Sequence, residues 1–417
     1  MATLVELSDK LWSGEHSTHQ KEHHPFAILN VVEEVADGVG FYKGFSNLTA
    51  VRTGDGVVLV DTGSFHPVAN KRSFDKVREY SPDRVHTAVY THGHVDHAYG
   101  LPPFLAEAES KGWLRPNIVG HACCVPRMQR YIETAGYNSV INTRQFSQDT
   151  KWPTDPIYPT ETYESRLTLN VGGTVFELTH GRGETDDHTW VFLPETRVLC
   201  TGDFFIWAAP NAGNPQKVQR YCIEWAQALR QMAAKRPVVL LPGHGLPVYG
   251  EDRVQEALLT TAAYLESLYH QTLALLNEGA RIDDIVHAVN VPAEYTDTPW
   301  LQPIYDEPEF VVRNIYRCLA GWYSGIPSEL KPAPRAEQAA EIVHLAGGLD
   351  KLLSRADDLL HAGNVRLACH LIDYAHDHAP DVEEVRTLKH AIYSKRAEQE
   401  PSTMSKGIFR EAAGPGQ

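Results

Sequence analysis

The sequence predicts an α+β chain in which a strand-and-helix region precedes an all-helical one. Up to about residue 250, short apolar runs rich in β-branched residues alternate with helix-like segments. Gly, Pro or charged turn residues bound each run. The runs are apolar throughout, which fits sheets whose faces are covered by helices. Beyond Gly250 the strand signals stop and apolar residues recur at helical spacing.

In chain order, strands are expected at 57–60, 85–90, 174–178, 189–193, 198–201 and 238–241, with helices over 104–112 and 220–234. Leu352, Leu353, Ala356, Leu359 and Leu360 share one helix face, with Gly347-Gly348 before it and Gly363 after it. A second stripe, Val365, Ala368, Leu371 and Ile372, ends near Pro380, and a third covers 382–395. These read as antiparallel helical hairpins, and 327–334, with its three prolines, reads as a stiff connection. Gly414-Pro415-Gly416-Gln417 reads as a frayed tail.

At about 150 residues per domain, 417 residues suggest two or three domains. The change of texture places the division at 1–255 and 256–417. A formal net charge of −15 offers no long-range attraction to nucleic acid or an anionic membrane, so neither is an expected partner. Charged residues at 22% and hydrophobic ones at 42% exclude disorder. Residues 1–20 show no secretory signal pattern, and no stretch nears the roughly 18 apolar residues of a membrane span. Six cysteines without C-x-x-C spacing read as buried free thiols in a reducing, cytoplasmic setting. His16, His19, His23 and His24 fall in an unpatterned stretch that reads as a flexible arm or a loop cover.

The strongest chemical signal is Thr91-His92-Gly93-His94-Val95-Asp96-His97, at the exit of an apolar strand. A lone His-x-His there would be a pair of solvated histidines. Here four nitrogen and carboxylate donors fall within a short span, the ligand types zinc takes. His92 and His94 can point one way while Asp96 and His97 reach a second position, so the segment can serve two metals about 3.5–4 Å apart. Further donors follow other strand exits: His180 and Glu184 in His180-Gly-Arg-Gly-Glu184, Asp203 in Thr201-Gly202-Asp203, and His244 in Gly243-His244-Gly245. Asp61 in Asp61-Thr62-Gly63 has the same setting and reads as a residue that holds loops together.

In this order the motifs resemble the metallo-β-lactamase fold superfamily, over roughly residues 25–255. That resemblance implies an αββα sandwich with a dinuclear zinc site. Glu184 stands where most members carry histidine and resembles the alkylsulfatase (type III sulfatase) branch. The strings beginning Phe310-Val-Val-Arg-Asn-Ile-Tyr-Arg, Ala346-Gly-Gly-Leu-Asp350 and Ala362-Gly-Asn-Val-Arg-Leu-Ala368 are similar to that branch's helical dimerisation domain. The resemblance implies a homodimeric, metal-dependent hydrolase that cleaves sulfate esters of small alkyl alcohols. Hydrolysis of another ester, a lactone or a phosphoester is the alternative on the same scaffold. A non-catalytic metal-binding interaction protein is a third reading.

Carried over residue by residue, His92, His94 and Glu184 would hold one Zn2+, Asp96, His97 and His244 the other, and Asp203 would bridge. Two cations would make hydroxide available at neutral pH, and the extra anion at Glu184 should weaken them as Lewis acids. Asp96 and His180 are the catalytic candidates, with a structural strand-end role the competing reading for His180. His188 reads as solvated or as supporting a ligand. For substrate contacts, Asn142, Arg144, Arg182 and Tyr99 are candidates, with Asn47 weaker, against the plain reading of the arginines as surface residues. Three departures stand out. Asp203 replaces the branch's usual Glu, no lipid-carrier-like third domain is expected, and Asn214-Pro-Gln-Lys-Val-Gln-Arg220 lacks the branch's Arg-Gly pair, which puts a sulfate substrate in question.

Overall fold

Apolar side chains on both faces of the central strands dictate a layered architecture. The computed structural model describes residues 2–414 and contains two β-sheets packed face to face. The first runs β1 (Val31–Ala36), β2 (Val39–Lys43), β3 (Leu48–Thr53), β4 (Gly56–Val60), β5 (Val85–Val89), β6 (Asn117–His121) and β7 (Glu161–Tyr163) in spatial order. Its pairs are antiparallel up to β4 and parallel from there on. The second contains β8 (Arg166–Val171), β9 (Thr174–His180), β10 (Thr189–Leu193), β11 (Val198–Gly202), β12 (Val239–Pro242) and β13 (Val248–Tyr249). Its spatial order is β13-β12-β11-β10-β9-β8, and only β11 and β12 run parallel.

The pleat assigns each residue of β4 to a layer. Val58 and Val60 enter the core between the sheets, whereas Val57 and Leu59 enter an outer core. That outer core is closed by α2 (Pro67–Tyr80), α3 (Pro102–Ser110) and α4 (Cys124–Glu133), following α1 (Leu4–Trp12), which lies beside β13. After α4 comes α5 (Ala135–Phe146). The second sheet is covered by α6 (Cys222–Ala234) and the long α7 (Glu251–Asn277), whose Trp225, Leu229, Leu258 and Leu265 are fully buried. Helix, sheet, sheet, helix is the expected αββα order. The expected division at 255/256 falls inside α7, which is one continuous helix.

Helices alone follow: α8 (Ile282–Ala288), α9 (Ala293–Thr296), α10 (Pro308–Ala320), α11 (Pro327–Leu330), α12 (Arg335–Ala346), α13 (Leu349–His361), α14 (Val365–His378), α15 (Glu383–Gln399) and α16 (Thr403–Ala413). The stripes on α13 and α14 meet as read: Leu352, Ala356, Leu359, Val365, Ala368 and Ile372 lie in one apolar core with Val343, Val385 and Ile392. The three-proline segment holds the one-turn α11. The last helix, α16, returns to the sandwich and packs on α5. A Cβ on Gly407 would lie 2.6 Å from the Arg144 and Gln145 carbonyl oxygens, so only glycine permits that approach. Of the expected frayed tail, residues 415–417 lie outside the described residues.

Of the two readings of the N-terminal stretch, the loop cover matches: Thr3 and Glu6 form a capping box on α1, Trp12 stacks on Trp300 with ring centroids 4.2 Å apart, and the following loop meets the His244 loop through Gly245 N and the Pro25 carbonyl. One expectation is corrected. The six cysteines are unpaired, but Cys318 on α10 is exposed, and Cys123, just before α4, and Cys369, at the edge of the helical core, are half-buried.

Candidate metal centre

Loops leaving the carboxyl ends of β4, β5, β11 and β12 carry Asp61, the segment His92 to His97, Asp203 and His244 to one place. Glycine makes the approach possible: a Cβ on Gly243 would sit 2.0 Å from Asp203 Oδ1. Glu184 arrives from the turn after β9. The donor atoms of His92, His94, Glu184 and Asp203 lie within 4.8 Å of one another, as do those of Asp96, His97 and His244. Asp203 joins the groups, with Oδ1 3.3 Å from His97 Nε2 and Oδ2 3.5 Å from His244 Nε2 and 3.8 Å from His92 Nε2.

Hydrogen bonds decide which ring nitrogens face this cluster. His97 Nδ1 lies 2.9 Å from Asp61 Oδ2 and His244 Nδ1 lies 2.7 Å from the Phe45 carbonyl. Those oxygens can only accept, so both Nδ1 atoms donate and both Nε2 lone pairs face inward. Asp61 also accepts from Thr91 N at 2.8 Å and Thr91 Oγ1 at 2.9 Å, while His92 Nδ1 lies 3.0 Å from Thr91 Oγ1. The Thr91 hydroxyl proton goes to Asp61, so His92 Nδ1 donates and its Nε2 is the free atom. Such outer contacts are what orient imidazole ligands.

Carboxylates are held open in the same way. Asn211 Nδ2 donates to Glu184 Oε1, and Arg220 Nη1 lies 3.2 Å from that oxygen. Oε2 is buried without a donor, 3.4 Å from His94 Nδ1 and 3.7 Å from His92 Nε2. Burial would raise the Glu184 carboxyl, and Arg220 with His94 overcomes it and holds it below the usual value. Burial opposes charge on His97 too, yet Asp203, Asp96 and Asp61 raise its pKa well above that of free imidazole. Asp203 is held well below the carboxylate range because His97 and His244 outweigh its burial.

These donors fit divalent cations. Donor atoms about 2.0–2.1 Å from one tetrahedral ion lie roughly 3.3–3.4 Å apart, close to the spacings of His97, His244, Asp96 and Asp203. Orphaned, buried oxygens on Glu184 and Asp203 are what a cation would satisfy.

All seven expected ligands therefore meet, and Asn142 lines the cavity above them. Four other expectations do not reach it. His180 stacks on His121 at 3.7 Å and gives its Nδ1 proton to the His188 carbonyl at 2.9 Å. Arg182 is exposed over the Tyr221 ring at 5.2 Å. Arg144 pairs with Glu411 of α16 and with Gln216 Oε1 at 2.7 Å. Tyr99 is buried in the apolar core of the first sheet. Closeness along the chain suggested these residues; distant partners claim His180, Arg182 and Arg144, and apolar packing claims the Tyr99 ring. Asn47 ties the His244 loop, donating to the Pro242 and Gly245 carbonyls. His188 is buried beneath the site and accepts from Asp203 N at 3.2 Å.

Other residues were not anticipated. Asp187 accepts from Gly93 N at 2.8 Å and pairs with Arg127 Nε at 2.8 Å, fixing the His92 loop from outside. Its place three residues after Glu184 was the available signal. The cavity measures about 540 Å3. Asp96, Glu184, Asp203 and His244 contribute to its lining, together with aromatic residues that include Phe26, Phe45, Phe146, Trp152 and Tyr305. Asn211 also lines it, as do Asn214, Lys217 and Arg220 from the segment 214–220.

Residues 42–244 match the metallo-beta-lactamase superfamily and residues 281–415 the family described as alkyl sulfatase dimerisation. A linear primary-alkylsulfatase of Pseudomonas sp. (strain ATCC 19151) is 28% identical, over 77% of this chain and 64% of its own. An alkyl/aryl-sulfatase of Saccharomyces cerevisiae is 24% identical, over 87% of this chain and 60% of its own. The chain thus spans about three-fifths of the length of these curated relatives. A solved stereoselective inverting sec-alkylsulfatase from Pseudomonas sp. shares the fold at a TM-score of 0.82, with 21% identity, over 92% of this chain and 66% of its own.

Proposed function

On the premise that the chain joins a metallo-β-lactamase domain to an alkyl sulfatase dimerisation domain, we propose that it hydrolyses sulfate esters of small alkyl alcohols. The single observation that carries the reading is the convergence of seven donors, five of them lining a cavity with aromatic walls and three cationic side chains. His92, His94 and Glu184 would hold one Zn2+, Asp96, His97 and His244 a second, with Asp203 shared. Two such ions supply charge neutralisation and a more acidic water. The chain's own residues do the rest. Asp61 and the Phe45 carbonyl keep the Nε2 atoms of His97 and His244 available. Asn211 and Arg220 aim Glu184, and Asp187 fixes the loop of His92 and His94. Asp96, half-buried and lining the cavity, would take a proton from water entering it.

Residues 1–255 would carry this chemistry and 256–417 would pair two copies. Trp322 and Leu345, 73% and 77% exposed, support a homodimer through the helical part. No helix among the described residues is long and apolar enough to cross a membrane. Six unpaired cysteines support a reducing, cytoplasmic setting.

The test is sulfate release from a short alkyl sulfate by the full chain. We expect turnover that a chelator abolishes and added zinc restores. Hydrolysis confined to lactones or phosphodiesters would overturn the reading.

A further inference from the structure

Three cationic side chains line the cavity: Lys151 is exposed to solvent, Arg220 is neutralised, and Lys217 is half-buried without a counter-charge. Arg220 is engaged by Glu184 through both the carboxylate and the main-chain carbonyl. Lys217 Nζ has a 3.4 Å contact to Asn142 Oδ1 and lies 5.4 Å from the Trp152 ring centroid. Among the described residues it forms no ion pair. Three residues earlier, Asn214 is only 5% exposed and lines the same cavity. Its Oδ1 accepts from Gln216 N at 3.0 Å, but its Nδ2 is buried without an acceptor. Buried polar groups ordinarily find partners, so two under-used donors on one loop, both lining one cavity, form a set that an acceptor would complete.

We propose that Asn214 and Lys217 bind the tetrahedral oxyanion of the substrate, the sulfate group of a sulfate monoester, and so set this cavity's preference for anionic over neutral esters. The assignment deepens the sulfatase reading and rests on it for the identity of the anion. It also answers the missing Arg-Gly pair: the cation comes from Lys217, since Arg144 and Arg182 are turned elsewhere and Arg220 is occupied. An ammonium on a flexible stem can follow an oxyanion without the fixed fork of a guanidinium. Burial pushes the Lys217 ammonium down to about 7, and an arriving anion supplies the counter-charge it lacks.

The test measures binding of inorganic sulfate, and separately phosphate, to the zinc-loaded full chain by calorimetry at constant ionic strength. Lys217→Met, Lys217→Arg and Asn214→Ala are compared with the wild type. Loss of a charge-assisted hydrogen bond should weaken sulfate binding about tenfold or more in Lys217→Met, with Lys217→Arg recovering most of it. With alkyl sulfate as substrate, KM should rise by a similar factor while kcat changes little. Equal sulfate affinity in wild type and Lys217→Met overturns the proposal, as does a wild type with no saturable sulfate binding or a Lys217 dependence seen only with phosphate. If Lys217→Met does not fold, a several-fold loss in Asn214→Ala carries the same decision. Lys217-dependent sulfate binding without any turnover of sulfate esters would sink the proposed function and leave the oxyanion site standing.

Discussion

The surroundings of the candidate metal centre and the outer surface of the helical region handle charge in opposite ways. Around the metal centre, Arg127 pairs with Asp187, and Arg220 with Glu184, at side-chain exposures of 4% or less. In the helical region Arg335 pairs with Asp377 and Arg366 with Glu309 at exposures of 30–57%, over a core built from apolar stripes. Surface pairs contribute roughly 0–1 kcal/mol, whereas breaking a buried pair costs about 3–5 kcal/mol. The contrast teaches that the helices are held by burial, and the centre by mutual neutralisation of groups that would each be unfavourable alone.

The largest effect should come from Asp203→Ala, which removes the residue shared by both donor groups. Losing several kcal/mol of charge stabilisation should lower turnover about a thousandfold or more. Zinc content by mass spectrometry should fall with it, while light scattering should still find the assembly state of the wild type. A variant that kept its zinc and its rate would break the comparison.

Next in size, Asp187→Ala leaves buried Arg127 with Asp186 alone and takes the acceptor from Gly93 N, and should cost about 3 kcal/mol in urea unfolding. Lys43 gives a smaller, pH-dependent effect. It is fully buried, donating to the Pro25, Ala27 and Gly44 carbonyls, and burial lowers it from 10.5 to about 7. Between those values the unfolded chain holds a proton that the folded chain lacks, so stability from this group rises with pH across that window. Urea midpoints of wild type minus Lys43→Met should rise from pH 7 toward pH 10, and a flat difference would refute the assignment. The smallest effect is Arg335→Ala on the helical surface, within about 1 kcal/mol by the same unfolding assay.

How much was legible follows the range of the forces involved. The candidate donors follow strand exits, five of them directly beside a glycine (His92, His94, Glu184, Asp203 and His244), a local pattern, and the structure brings all seven together. The stripes of α13 and α14 were equally plain, since helical periodicity is local. β8 escaped because its Arg166 to Asn170 stretch alternates between exposed and half-buried and never forms an apolar run. The capping box on α1 was present in the letters Thr3 and Glu6 but was not weighed. Tyr99 was misplaced because its ring packs in the apolar core, whereas Arg144 and Arg182 were misplaced, and Lys217, Asn211 and Asp187 overlooked, for another reason. Which partner claims a polar side chain depends on segments up to 267 residues away, as with Arg144 and Glu411.

The seating of α16 on α5 has a practical consequence for anyone who would cut this molecule. Gly407 nests against the α5 backbone, and Glu411 anchors Arg144, within the helix that also supplies Asn142 and Phe146 to the cavity wall. Excising residues 403–413 would strip the backing from that wall and free the arginine. The layers that carry the candidate site are therefore no portable cassette: a minimal version of this protein has to keep its last helix to keep the shape of its cavity.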